Sequence, residues 1–307
     1  MAKRPWLVPA AFILLGTIWG SSFLWIKIGV EEMDPATLVA YRISIGALAM
    51  LAYMRLRGDR LPGNLRELAP LAVLGMIATA LPFFLITWGE QYIDSGTAAV
   101  LNSLTPIFSL ILAGLILRTE SVTLVRVIGL VTGFAGAALL ASREFALRGD
   151  PIALLGTGAV AVAAISYAAG ASISKAMVHG TPRNVVAAGN LTFGAVYIWL
   201  FTLLSGSNPA PPEQLDSIIA LLWLGLLGSF FAFVLLYFLI AHLEATVATM
   251  VTYLFPVVGV TLGVIFLHEL LDARLAIGTG LVVVGIVVVS LRYDQVVSLV
   301  TRRGSRP

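Results

Sequence analysis

A chain of 307 residues that is 59% hydrophobic and only 11% charged has too few charges to coat a water-soluble surface, since soluble domains carry roughly 25%. The absence of cysteine excludes disulfides and thiolate metal sites. The net charge of +3 does not point to nucleic acid, because the cations flank apolar runs instead of gathering on one soluble face.

Ten apolar runs follow one another, over 7–30, 36–54, 68–88, 95–117, 124–140, 152–177, 185–204, 218–241, 245–267 and 275–291. Each is near the ~20 residues that cross ~30 Å of hydrocarbon. Each is predicted to be helical, because an unpaired backbone amide in lipid is too costly for open strands. The first run follows Lys3 and Arg4 as in a signal peptide. It is longer than the ~7–15 apolar residues of such a segment, and is expected to be a retained span. The longest connection carries Pro209, Pro211 and Pro212 and cannot be helical throughout.

The runs read as one five-helix unit written twice. Trp19, Lys27 and Pro35 are echoed by Tyr167, Lys175 and Pro182; Ala98 and Pro106 by Ala248 and Pro256; Glu120 by Glu269. Pro35 and Pro182 lie 147 positions apart, and Pro106 and Pro256 lie 150 apart. An odd-numbered unit reverses direction in its second copy, which gives an inverted repeat. The expected fold is therefore all-α and integral to the membrane: ten transmembrane helices as a 5+5 repeat around a central cavity. The expected units are residues 1–148, residues 149–295 and a basic tail at 296–307. Lys and Arg concentrate at Lys3 and Arg4, Arg55 to Arg66, Arg118 and Arg126, Lys175 and Arg183, and Arg292 to Arg306. That bias places both termini in the cytoplasm.

Arg42 lies within the second run, ~9 Å deep at ~1.5 Å per residue, where an arginine costs roughly 2.5–3.5 kcal/mol. Either it snorkels to headgroups or caps a neighbouring helix, or it faces a wet cavity and holds an anionic group. Pro106 and Pro256 interrupt matching fourth helices and are expected to be paired hinges. Polar and aromatic side chains expected at the centre are Trp19, Ser22, Phe23, Thr79, Phe83, Asn102, Ser166, Tyr167, Asn190, Phe230, Tyr237 and Tyr253. An aromatic pocket with a few hydrogen-bonding groups suits small amphipathic solutes. Trp6 and Trp88 fit an interfacial belt. The GxxxG pairs Gly16–Gly20, Gly129–Gly133 and Gly259–Gly263, with Gly278 and Gly285, read as packing seams. Glu90, His242 and Glu244 sit near helix ends; either they titrate during transport or they are solvated loop positions, and the second reading is the expectation. No phosphate-binding G-x-x-x-x-G-K-[ST] loop and no H-E-x-x-H pair is present. Neither a cofactor nor enzymatic chemistry is expected.

The run Ile18-Trp19-Gly20-Ser21-Ser22-Phe23, then Val39-Ala40-Tyr41-Arg42, Ala98 through Pro106, and the acids Glu120 and Glu269 resemble the drug/metabolite transporter superfamily in its EamA-like branch. The likeness covers nearly the whole chain and looks closest to the YddG-type bacterial amino-acid exporters. The second copy departs from the pattern: Tyr167-Ala168-Ala169-Gly170 stands for Trp19 to Ser22, and Gly189 for Arg42. The resemblance implies a cavity lined by the first four helices of each half, in a bacterial inner membrane. It implies a secondary transporter exporting small metabolites, amino acids including aromatic ones, by alternating access. The expected partners are that solute and the bilayer, with the oligomeric state open. A drug or nucleoside exporter of the same fold, and a non-transporting membrane scaffold, are the alternatives.

Overall fold

The computed structural model describes residues 6–112, 123–177, 180–207, 209–242 and 250–290. Among these the regular structure is helical throughout. Seven helices are long and apolar enough to cross a membrane. They are α1 (Leu7–Gly29), α2 (Pro35–Leu56), α3 (Leu65–Gly89), α5 (Leu124–Arg148), α6 (Ile152–Met177), α7 (Arg183–Leu204) and α8 (Leu215–Leu239). Three shorter apolar helices fall where the remaining runs were read: α4 (Ser95–Ile111), α9 (Met250–Phe266) and α10 (Ala273–Ser290). Lys3, Arg4, Arg118, Glu120, Glu244, Ala248, Arg292 and the tail 296–307 lie outside the described residues, as does the side chain of Lys175.

Local chemistry sets the helix ends. Asp34 accepts from the amides of Ala36 (3.0 Å) and Thr37 (3.2 Å), with Pro35 opening α2. That arrangement satisfies orphan donors at the helix start. Gly149 closes α5 at φ +65°, a conformation favouring glycine.

The packing has a two-fold pattern. α5 lies on α10, α2 on α7, and α4 on α9. The cross pairs also match, with α1 on α9 as α6 is on α4, α3 on α6 as α8 is on α1, and α2 on α8 as α7 is on α3. Small residues permit these approaches. A Cβ on Gly285 would lie 2.5 Å from the Gly133 nitrogen, and one on Gly89 would lie 2.8 Å from the Gly156 carbonyl. Glycine seams of this kind bring helix backbones together where lipid supplies no hydrophobic drive.

Matching helices are also broken alike. α3 carries a π-helical turn at Met76–Ala80, and α8 a longer one at Trp223–Phe231. Such turns free carbonyls from the regular ladder. α4 breaks at Ser103 and Leu104, and its second segment starts with Thr105 and Pro106. α9 opens with a 3₁₀ turn at Met250–Tyr253, just before Pro256. Each proline therefore sits near the start of a new helical segment, where its missing N–H costs least.

At the end of the bundle where α1 finishes, an ionic network ties the helices together. Arg143 is 1% exposed and donates to Asp94 (2.9 Å), Glu144 (2.7 Å), Asp272 (3.0 Å) and the Leu270 carbonyl (2.6 Å). Glu269 accepts from the amides of Ser95 (2.6 Å) and Gly96 (2.9 Å). It thereby places a negative charge at the positive start of α4. The α7–α8 loop docks at the same end, with Tyr41 donating its hydroxyl to the Pro209 carbonyl at 2.8 Å.

Candidate functional site

Arg42 is 4% exposed, so it does not snorkel to headgroups. Its Nε donates to the Ser229 hydroxyl at 3.2 Å, and its guanidinium carbon stands 4.1 Å from the Phe83 ring centroid. A desolvated cation over a ring contributes roughly 2 kcal/mol, well short of what replacing water around a buried charge requires. Among the described residues no carboxylate lies within ion-pair distance of it. Gly228 keeps the space beside it open: a Cβ there would meet Ser22 Oγ at 3.2 Å and Arg42 Nη2 at 3.5 Å.

The other half repeats this arrangement with neutral groups. Thr79 donates to Asn190 Oδ1 at 2.7 Å, so Asn190 on α7 meets α3 as Arg42 on α2 meets α8. This corrects the sequence alignment, which set Gly189 against Arg42. Gly189 instead packs on Leu71.

The π turns receive matching bonds. Trp19 Nε1 donates to the Gly228 carbonyl at 3.1 Å, and Ser166 Oγ donates to the Ile77 carbonyl at 2.6 Å. α1 thus satisfies a carbonyl in α8, and α6 one in α3.

Rings extend the cluster in edge-on contacts that suit their quadrupoles. Trp19 lies 6.4 Å from both Phe233 and Phe255, Phe23 lies 6.0 Å from Phe255, and Phe83 lies 6.5 Å from Tyr167. Phe233 leads on to Tyr237 at 6.4 Å in a tilted contact, and Phe230 meets Tyr53 edge-on at 6.0 Å. The structure thus joins Trp19, Ser22, Phe23, Arg42, Phe83 and Tyr167, with Thr79 and Asn190 as the mirrored pair.

Asn102 is buried with its Oδ1 unpartnered among the described residues. Tyr253 packs against the same buried cluster as Trp19 and Tyr167. With Pro256 it borders a gap of ≈ 20 Å³ against Val283, Ile286 and Val287 of α10. Ser229, Gly228, Phe233 and Phe255 escaped the sequence reading. Ser229 had a usable signal, since it stands as far from Thr79 as Pro256 does from Pro106. The phenylalanines had none, being apolar residues within apolar runs.

A larger groove of ≈ 500 Å³ lies between α2 and α7, lined by Ser44, Ala47, Leu48, Leu51, Thr192 and Trp199 among others. It carries no charged residue and does not include Arg42. Trp6 is 58% exposed, as a belt residue requires, and His242 is exposed. Glu90, read from sequence as solvated, is 0% exposed, with neither carboxylate oxygen partnered among the described residues. The turn 90–94 folds back onto α1, where Lys27 Nζ donates to the Ile93 carbonyl at 2.8 Å and to the Glu90 carbonyl.

The EamA-like transporter family matches this chain twice, over residues 7–142 and 154–291. The uncharacterized inner membrane transporter YedA of Escherichia coli K12 is 30% identical over 92% of this chain and 90% of its own length. An uncharacterized transporter of Archaeoglobus fulgidus is 28% identical over 93% and 98%. A probable terminal-alkyne amino-acid exporter of Streptantibioticus cattleyicolor is 26% identical over 95% of each chain. A protein crystal structure superposes with a TM-score of 0.66 at 21% identity, over 92% of this chain and 97% of that one. That last likeness concerns the fold alone.

Proposed function

The chain belongs to the EamA-like transporter family, a multi-pass membrane transporter family, and on that premise we propose that it exports small amino acid-like metabolites from the cytoplasm. The observation that carries this reading is Arg42: a buried guanidinium seated on Phe83 and Ser229, with no carboxylate beside it among the described residues. Such a group binds a carboxylate with two parallel hydrogen bonds and discriminates by its planar fork. The rings of Trp19, Phe83 and Tyr167 offer edges and faces to an apolar side chain, and an aromatic one fits best. The amino-acid exporter among the relatives supports the same substrate class. YddG-type exporters remain the functional analogue.

In this proposal the fold is a ten-helix inverted 5+5 repeat, with units 1–148 and 149–295 and both termini in the cytoplasm of a bacterial cell. The two-fold helix contacts, the double family match and the paired π turns support it. Alternating access then exchanges which half closes over the centre. Only a solute that binds the two states differently shifts them. Pro106 in α4 and Pro256 in α9, with the π turns of α3 and α8, are the proposed bending points.

The test is counterflow in liposomes holding only this protein, loaded with unlabelled amino acids and presented with the labelled pool. Uptake above protein-free liposomes supports export. No uptake of any labelled amino acid contradicts it, and the same assay with nucleosides separates the rival substrate class.

A further inference from the structure

The end of α3 and the first half of α4 carry buried polar atoms without partners among the described residues. They are Thr87 Oγ1, both carboxylate oxygens of Glu90, Ser95 Oγ and Asn102 Oδ1. Thr87 in the last turn of α3 and Glu90, which caps it, are three apart, and Ser95 and Asn102 are seven apart on α4, so each pair shares a face. Buried polar groups are normally hydrogen-bonded, and a buried carboxyl without a donor is stable only when it carries a proton or receives a cation.

Resting on the export reading above, we propose that Glu90 is a proton site that exchanges its proton for the ammonium group of the exported solute, coupling export to proton entry. Glu90 is 0% exposed, and burial pushes its carboxyl well above the ordinary carboxylate range. The charged groups facing it are Lys27 from α1, Arg42 from α2 and Glu269 from the turn after α9. Lys27 and Arg42 favour the carboxylate, whereas Glu269 favours the acid. Lys27 spends its hydrogen bonds on the carbonyls of Glu90 and Ile93, not on the carboxylate. α6 packs its Gly156 against Gly89 and brings no ionisable residue between Ile152 and Ser166.

The exchange balances simply. On the outer side the carboxylate takes one proton from water as the ammonium leaves. On the cytoplasmic side an incoming ammonium pairs with the carboxylate and the proton returns to water. No electron is transferred. Arg42 and Glu90 feel one another's charge, so a zwitterion engaging Arg42 by its carboxylate also alters the field at Glu90.

The experiment uses the full chain in liposomes, with labelled phenylalanine as the probe and a trapped pH dye. Wild type is expected to move protons with phenylalanine in a fixed ratio. In E90Q that ratio falls about tenfold. A second measurement needs no substrate: infrared difference spectra of wild type at neutral pH show a carboxylic acid band, which E90Q removes and Glu90→Asp shifts. The proposal is overturned if E90Q keeps the wild-type ratio, if wild type moves phenylalanine without protons, or if no acid band belongs to Glu90. Failure of wild-type counterflow with an intact Glu90 band contradicts the export reading while the proton site stands.

Discussion

Arg42 donates its Nε–H to the Ser229 hydroxyl at 3.2 Å, joining α2 to the π turn of α8. Thr79 and Asn190 join α3 to α7 at 2.7 Å with the donor exchanged, the Thr79 hydroxyl donating to Asn190 Oδ1. Where one half places a neutral amide, the other places a permanent cation. Similar bonds thus join α2 to α8 and α7 to α3, and the charge proposed to select a ligand lies on α2 alone.

Trp19 and Tyr253 should behave differently when substituted. Trp19→Phe keeps a ring between Phe233 and Phe255 but leaves the Gly228 carbonyl without its indole donor, a loss of roughly 1–3 kcal/mol. Amino-acid counterflow is expected to fall severalfold, with folded protein retained on size-exclusion chromatography. Tyr253→Phe, at the α9–α10 gap, is expected to leave counterflow close to wild type. Equal effects at both positions would move the pocket toward α10.

The ionic network at Arg143 predicts a stability effect. Arg143→Met removes the cation shared by Asp94, Glu144 and Asp272 and leaves Asp94 and the buried Glu144 with only the more exposed Arg148. Breaking one partner out of a buried ion network costs about 3–5 kcal/mol. Thermal unfolding in detergent should show a clearly lower Tm for this variant. An unchanged Tm would mean that the network contributes nothing net.

Glu90 sets a pH dependence whose sign is fixed. Burial raises its carboxyl in the folded state, so the folded protein holds that proton more tightly than the unfolded chain. The stability this confers is complete below the ordinary carboxylate range and is lost as pH rises through the elevated folded value. Wild type should therefore lose Tm on going from acid toward alkaline pH across that window, and E90Q should lose less. Parallel Tm profiles for the two proteins would contradict the assignment.

Orientation can be read by single cysteines, since the chain has none of its own. Gly58 and Gly149 sit at φ +82° and +65°, where any side chain is strained. Exposed Arg57, next to Gly58, and exposed Ala210, in the α7–α8 loop, are better placed. With cytoplasmic termini, Ala210→Cys labels in intact cells with an impermeant reagent and Arg57→Cys does not. The reverse pattern would invert the molecule.

The helices and their duplicated order were legible because lipid enforces long apolar runs and because prolines and charges punctuate them at a repeating offset. Arg42 was legible for the same reason, as a charge where charges are costly. The π turns were not, since Met76 to Ala80 and Trp223 to Phe231 read as ordinary apolar helix. Ser229 was hidden with them. Glu90 misled for a different reason. Its place after the last turn of α3 looks like a loop, yet the turn 90–94 folds onto α1, where Lys27 holds its carbonyls and buries the side chain.

The most direct test of the account is selectivity at Arg42. Counterflow of labelled phenylalanine would be competed by unlabelled phenylalanine and by its carboxylate-free amine, in wild type and in Arg42→Lys. A point-like ammonium does not reproduce the guanidinium fork, while its retained charge and flexible stem let it fold in place. The account predicts that wild type prefers the acid over the amine by at least about tenfold, equivalent to ~1.4 kcal/mol, and that folded Arg42→Lys loses this preference. Undiminished preference in Arg42→Lys would show that the carboxylate is recognised elsewhere and would contradict the central role given to Arg42.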